Sequence, residues 1–240
     1  METVVWNDNG KAGEVLTLLT MAPCRFILPP GMSLKIEKNP ECPWPTHEYE
    51  IINIEDIANV WQNIKPGIIN VICFLPFIID PVIYSRVLSH VFKRLIRGAH
   101  DGIIPTPMSF FIDEFHTLAP SGGHGLGPKH YEIAAAIQLN IEQLRAWGIR
   151  IVATIQGNTK LRKGIRQEFN WPIIKRGANF NRSDEPKLSR FNYVWGKLTD
   201  LQLILVWPDR TFSDIINIDY YPRGREIGTI KYVGLFEAQP

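Results

Sequence analysis

Two adjacent carboxylates, Asp113 and Glu114, close an apolar run over residues 109–112. A buried strand that delivers an aspartate to its carboxyl end can hold a magnesium ion against the phosphates of a bound nucleotide. The neighbouring glutamate can then polarise a water, which is a weak nucleophile at neutral pH. The plainer reading is a solvated acid pair at a strand end, or a helix cap. A second apolar run, residues 149–155, leads into Gln156. If the two strands are neighbours, Gln156 stands beside the acids, where its amide could sense a terminal phosphate or orient water. Its plainer role is to satisfy loop backbone. Arg145 and Arg150 are candidates for a cation that offsets charge on a transferred phosphoryl group, or for one half of a structural ion pair.

Such chemistry needs a cradle for phosphates. The G-x-x-x-x-G-K-[ST] pattern supplies one, with backbone N–H groups and a lysine on the phosphates and a hydroxyl on the metal. Its place is after the first strand, at a helix N-terminus. Asn7-Asp8-Asn9-Gly10-Lys11-Ala12-Gly13 stands there, and Gly10-Lys11 matches the Gly-Lys pair. Val5 occupies the first glycine position, Ala12 replaces the hydroxyl residue, and Asp8 adds negative charge beside the phosphates. Gly10, Lys11 and Ala12 are thus either an unusual nucleotide loop or a turn in a protein that has lost hydrolysis. The glycine-rich stretch 122–129 is not a second cradle. Pro128 removes a backbone donor, and the stretch follows the acid strand. It reads as a mobile connector, from which Lys129 and His130 could touch DNA.

The elements that position these groups follow from hydrophobic spacing. Strands are expected at residues 3–6, 25–28, 68–75, 110–112, 149–155, 171–175 and 201–207. Helices are expected at 14–21, from a cap at Asn53 with Asp56 in its first turn, from Asp80 to a stop at Gly98, around 133–144, and over a basic segment at 161–169. Residues 37–48 read as a surface loop, and 209–240 show no clear pattern. This alternation predicts an α/β fold with a mostly parallel sheet flanked by helices.

With 240 residues and 45% hydrophobic content, the chain can bury a core, and global disorder is excluded. The net charge of +2 confines any nucleic-acid contact to a local patch. Lys160, Arg162, Lys163, Arg166, Lys175, Arg176 and Arg182 cluster in sequence around Phe180 and Asn181. They suit a phosphate-backbone surface or, more plainly, a solvated face. Cys24, Cys42 and Cys73 form no disulfide framework, and Cys42 with His47 lacks the second pair a metal site needs. No basic leader precedes an apolar segment, and the longest apolar stretch, 68–79, is shorter than the roughly 20 residues of a membrane helix. A cytoplasmic setting is expected.

The ordered set Asp113-Glu114, Arg145…Gly148 and Thr154-Ile155-Gln156 resembles the FtsK–HerA group of DNA translocases, which includes conjugation and viral genome-packaging ATPases. Members end the last of these strands in Thr-Gln, so one residue is inserted here. The resemblance implies a RecA-like P-loop NTPase fold over 1–207, with 208–240 an extension. It also implies ATP and Mg²⁺ as cofactors, double-stranded DNA as partner, and a homo-oligomeric ring. In that reading Lys11 contacts phosphate, Asp113 binds Mg²⁺, Glu114 is the base, Gln156 the sensor and Arg145 a finger reaching a neighbouring subunit. Lys129, Lys160, Arg162, Lys163 and Arg166 face DNA. The alternative is a catalytically inactive RecA-like subunit for DNA binding or assembly. A nuclease built on scattered acids finds no support beyond the one acid pair.

Overall fold

The computed structural model describes residues 2–9, 13–121, 128–155 and 160–234. Six parallel strands form the central sheet: β1 (Thr3–Asp8), β2 (Cys24–Leu28), β4 (Tyr49–Asn53), β5 (Ile69–Cys73), β6 (Met108–Ile112) and β7 (Ile149–Ala153). Their spatial order is β4-β2-β5-β1-β6-β7. This is the parallel, helix-flanked architecture that the sequence predicts.

Strand pleating sorts side chains between two cores. On one face, Val5, Ile72, Phe110 and Ile112 pack with the long helices α3 (Pro81–His100) and α4 (Pro128–Ala146) and with the 3-10 segment Ile57–Asn63. On the other, Phe26, Leu28, Val71 and Cys73 pack with α1 (Glu14–Leu18) and with β3 (Ser33–Lys38). A short helix, α2 (Leu75–Ile78), joins β5 to α3. Asp80 caps α3 by accepting from the N–H groups of Val82 and Ile83, and Pro81 takes the first helical position, as its sequence predicts.

Beyond β7 come α5 (Lys163–Glu168), β8 (Ile173–Lys175), α6 (Pro186–Ser189), α7 (Asn192–Trp195), β9 (Gln202–Leu205) and β10 (Ile216–Asn217). Strands β8, β9 and β10 form a small antiparallel sheet over its own cluster of Ile174, Leu188, Trp195, Leu198, Ile204 and Val206. The chain ends with α8 (Gly224–Ile227) and β11 (Gly228–Val233), and β11 pairs antiparallel with β3.

Several expectations need correction. Asn53 is not a helix cap: it ends β4, and its amide donates to the carbonyls of Pro29 and Met32. Asp56 caps the following 3-10 turn instead, and Ile57, Val60, Trp61 and Ile64 are buried as their spacing predicts. Gly98 does not stop α3, which continues to His100. Residues 33–38 and 49–53 are strands, and 224–233 are ordered against the rest of the molecule. The basic helix is shorter than expected.

Candidate functional site at the sheet's carboxyl edge

The connection after β1 leads to α1 on one face of the sheet. The connections after its two neighbours, β5 and β6, lead to α3 and α4 on the other face. The chain thus passes from β1 and from its two neighbours to helices on opposite faces of the sheet. This is the topological switch point at which open parallel sheets take their ligands.

The acid pair stands at this edge. Ile112, the last residue of β6, pairs with Asn7 of β1 and Ala153 of β7, so Asp113 and Glu114 emerge between the ends of both neighbours. One residue secures the turn they form. The Thr154 hydroxyl donates to Asp113 Oδ1. Thr154 Oγ1 accepts from the Glu114 N–H at 3.0 Å, and its carbonyl accepts from the Phe115 N–H at 2.9 Å. Thr154 also donates its own N–H to the Ile112 carbonyl at 3.1 Å. Glu114 has φ 50° and ψ 46°, a left-handed conformation that costs a non-glycine residue roughly 1–2 kcal/mol. The Thr154 contacts and the burial of Phe115 hold it. In the sequence Thr154 reads only as part of a motif, and the folded chain gives it the role of lock for the acid turn. Thr154→Val keeps the shape and removes the hydroxyl. Chemical denaturation should read a loss of about 0.5–1.5 kcal/mol, while Thr154→Ser stays near native.

The end of β1 contributes three further groups. The Asn7 side chain is buried at 1% exposure. It lies beside the Tyr84 hydroxyl at the start of α3, which donates to Asn9 Oδ1 at 3.1 Å. Burial raises the Tyr84 hydroxyl well above its usual range. Asn7 acts against that rise, and the charge of Glu114 adds to it. Asp8 points to the opposite face, where its buried carboxylate accepts from the Tyr232 hydroxyl. In the sequence Asp8 reads as charge among the phosphates, and its hydrogen bond comes from Tyr232 at the far end of the chain.

The other candidates are distributed as follows. Gly10, Lys11, Ala12 and Gln156 lie outside the described residues, as does the glycine-rich stretch 122–127. Their supports, β1 and β7, flank the acid strand as the sequence reading requires. Arg145 is exposed in the last turn of α4, beside Gly148 and the amino end of β6. Five residues of strand, about 17 Å, separate that edge from the acid pair. Arg145 therefore serves no reaction at its own chain's acids. Arg150 pairs with Glu2 at 3.2 Å. Lys129 sits in the first turn of α4. Lys160 and Lys163 are exposed and Arg162 half-buried. Arg166 departs from this basic face: its guanidinium is largely buried against Asp184 at 3.5 Å.

Asp113 suits a hard cation that keeps most of its waters and takes its remaining oxygens from phosphate. Among the described residues no group of three His, Cys, Asp or Glu side chains could hold a metal by itself. No described helix is long and apolar enough to cross a membrane.

Fold and site together define a parallel α/β domain with a locked acid pair and a buried amide at the switch point. Among solved structures the chain is similar to the genome packaging NTPase B204 from Sulfolobus turreted icosahedral virus 2 in complex with ATP-gammaS, at 11% identity and TM-score 0.42, with 90% of this chain and 96% of that chain covered. It is also similar to the bacterial conjugative coupling protein TrwBdeltaN70, at 15% identity and TM-score 0.45, with 69% and 44% covered. The cytoplasmic domain of the Thermomonospora curvata Type VII Secretion ATPase EccC matches at 12% identity and TM-score 0.39, over 92% of this chain and 24% of that chain. No protein-family model matches the chain, and no curated protein sequence matches it.

Proposed function

We propose that the chain is a Mg²⁺-dependent ATPase that moves double-stranded DNA as part of a homo-oligomeric ring. The observation that carries this reading is the acid turn fixed by Thr154 at the switch point beside β1. Glu114 is the base that activates water, and Asp113 holds Mg²⁺, which would neutralise charge on the phosphates. Gly10, Lys11 and Ala12 seat those phosphates, and Gln156 orients the water or senses the terminal phosphate. Arg145, at the far edge of its own sheet, acts on a neighbouring subunit's nucleotide. Lys129, Lys160, Arg162 and Lys163 contact the DNA backbone. The ATPase-type unit is residues 1–207, and 208–240 form an extension that returns to it.

The test is titration of Mg²⁺·ATP into the full chain and into Lys11→Ala. The native chain should bind, and the variant should lose about ten- to a hundredfold in affinity, the worth of a charge-assisted hydrogen bond. Equal, negligible binding by both would sink the ATPase reading.

Ala12 favours a second reading, because it leaves that loop position without a hydroxyl for the metal. In it the chain is a catalytically inactive DNA-binding or assembly subunit. Salt-dependent DNA binding without ATP hydrolysis would select that reading.

A further inference from the structure

The small sheet β8-β9-β10 packs on its own core with one face only. Register pairs Ile174 with Ile204, and both are buried in that core. Strand alternation sends the residues between them the other way. On that outer face Ile173 pairs with Leu205, Lys175 with Leu203, and Leu203 with Ile216. Ile173 is 56% exposed, and Lys175 is exposed as well. The Val206 N–H donates to the Pro172 carbonyl at 2.9 Å, so Trp171 and Trp207 come next to each other at that end of the ladder. Trp171 is 63% exposed and Trp207 36%. An antiparallel sheet with one solvated face ordinarily carries polar residues there. This one carries aliphatic residues and leads to two tryptophans.

The opposite end of the face is bordered by cations. Lys175 Nζ donates to the Asp200 carbonyl at 2.7 Å. The Asp200 carboxylate meets Arg176 at 3.4 Å and Arg223 at 3.9 Å, and all three side chains are exposed. Three cations thus gather around one carboxylate. The imbalance extends through the unit that follows β7. Residues 160–217 hold eleven Lys and Arg against six Asp and Glu, a net charge of +5, while the rest of the chain carries −3. A partner complementary to this face is therefore anionic. Trp171 and Lys175 lie four residues apart, about 13 Å along an extended strand.

Exposed aromatic rings beside a basic rim suit a chain of unpaired bases, because a ring takes the flat face of a base and the cations take the phosphates. A duplex offers no such faces: its bases are stacked inside, and only their edges reach the grooves. We propose that the outer face of β8-β9-β10 binds single-stranded DNA, with bases stacked on Trp171 and Trp207 and phosphates held by Lys175 and Arg176. This goes beyond the duplex partner proposed above and requires neither bound nucleotide nor the acid turn.

The test is fluorescence anisotropy without nucleotide, titrating the full-length chain into labelled oligo(dT) of about 16 nucleotides, the upper size of a single-strand site. A labelled duplex of the same length is the second arm. The native chain should bind oligo(dT), and more weakly as salt rises. Trp171→Leu keeps apolar bulk but removes the aromatic face. It should bind oligo(dT) about tenfold more weakly, within the worth of one stacked base, with duplex affinity unchanged. Trp171→Phe keeps a ring and should stay near native. Tyr193→Ala should also stay near native: Tyr193 is 69% exposed, but it lies on α7, which packs through Trp195 against the inner face. Failure of the native chain to bind oligo(dT) overturns the proposal. Equal losses in Trp171→Leu and Trp171→Phe, or an equal loss in Tyr193→Ala, also overturn it. So does sedimentation that shows the native chain as a dimer which Trp171→Leu dissociates, because a second copy then covers the face.

Discussion

Glu114→Gln is expected to lower ATP turnover by about 10²–10⁴-fold, the usual worth of a positioned general base, while Mg²⁺·ATP affinity stays within a few fold. The substitution is nearly isosteric. The left-handed turn is held through the backbone N–H of Glu114, which bonds Thr154 Oγ1 at 3.0 Å, so the glutamine keeps that anchor. On the proposed reading, the change removes the capacity to take a proton from water. Single-turnover hydrolysis and nucleotide titration on the same preparation read the two quantities separately. A variant that hydrolyses at the native rate would remove Glu114 from the reaction. Loss of binding together with turnover would mean that the turn had collapsed, and a thermal melt would register that change.

Much of the frame behind this expectation was legible in the sequence. The acid strand and its partner β7 are short apolar runs bounded by turn residues, and Tyr84, Leu88, Val91, Phe92 and Leu95 repeat at helical spacing. For β6, a central strand, the pattern survives folding because both faces of such a strand are covered. What escaped was non-local. Strand β3 alternates Leu34 and Ile36 with charged residues, but its partner β11 follows roughly 190 residues later, and no local rule links the two. The same distance hid the Tyr232–Asp8 bond. At residues 53–56, two good capping side chains compete, and only the pairing of β4 with β2 decides that Asn53 belongs to the strand. Gly98 reads as a helix stop, yet it is accommodated within α3, where a Cβ would lie 3.0 Å from the Ile104 side chain. Arg166 reads as one more basic residue until Asp184 folds against it.

The strand that presents the acids also anchors the larger core, and this leads to the second large effect. Phe110 is 1% exposed, and its ring meets Trp61 edge-on at 5.3 Å and Phe92 at 5.9 Å. Trp61 is fixed in turn by its indole N–H, which donates to the Val91 carbonyl at 2.8 Å. The phenylalanine therefore joins β6 to α3 and to the 3-10 segment at once. Phe110→Ala should cost about 3–5 kcal/mol, the range for deleting a fully buried aromatic ring. Native domains hold only about 5–15 kcal/mol, so the urea midpoint should fall steeply with little change in slope. The adjacent Phe111 points to the other face, half-buried and stacked on Trp6 at 5.8 Å. With less apolar area removed from water, Phe111→Ala should lose roughly half as much. Equal losses at both positions would contradict the pleat that places Phe110 toward the helices, and with it the orientation of the strand that delivers Asp113 and Glu114 to the carboxyl edge of the sheet.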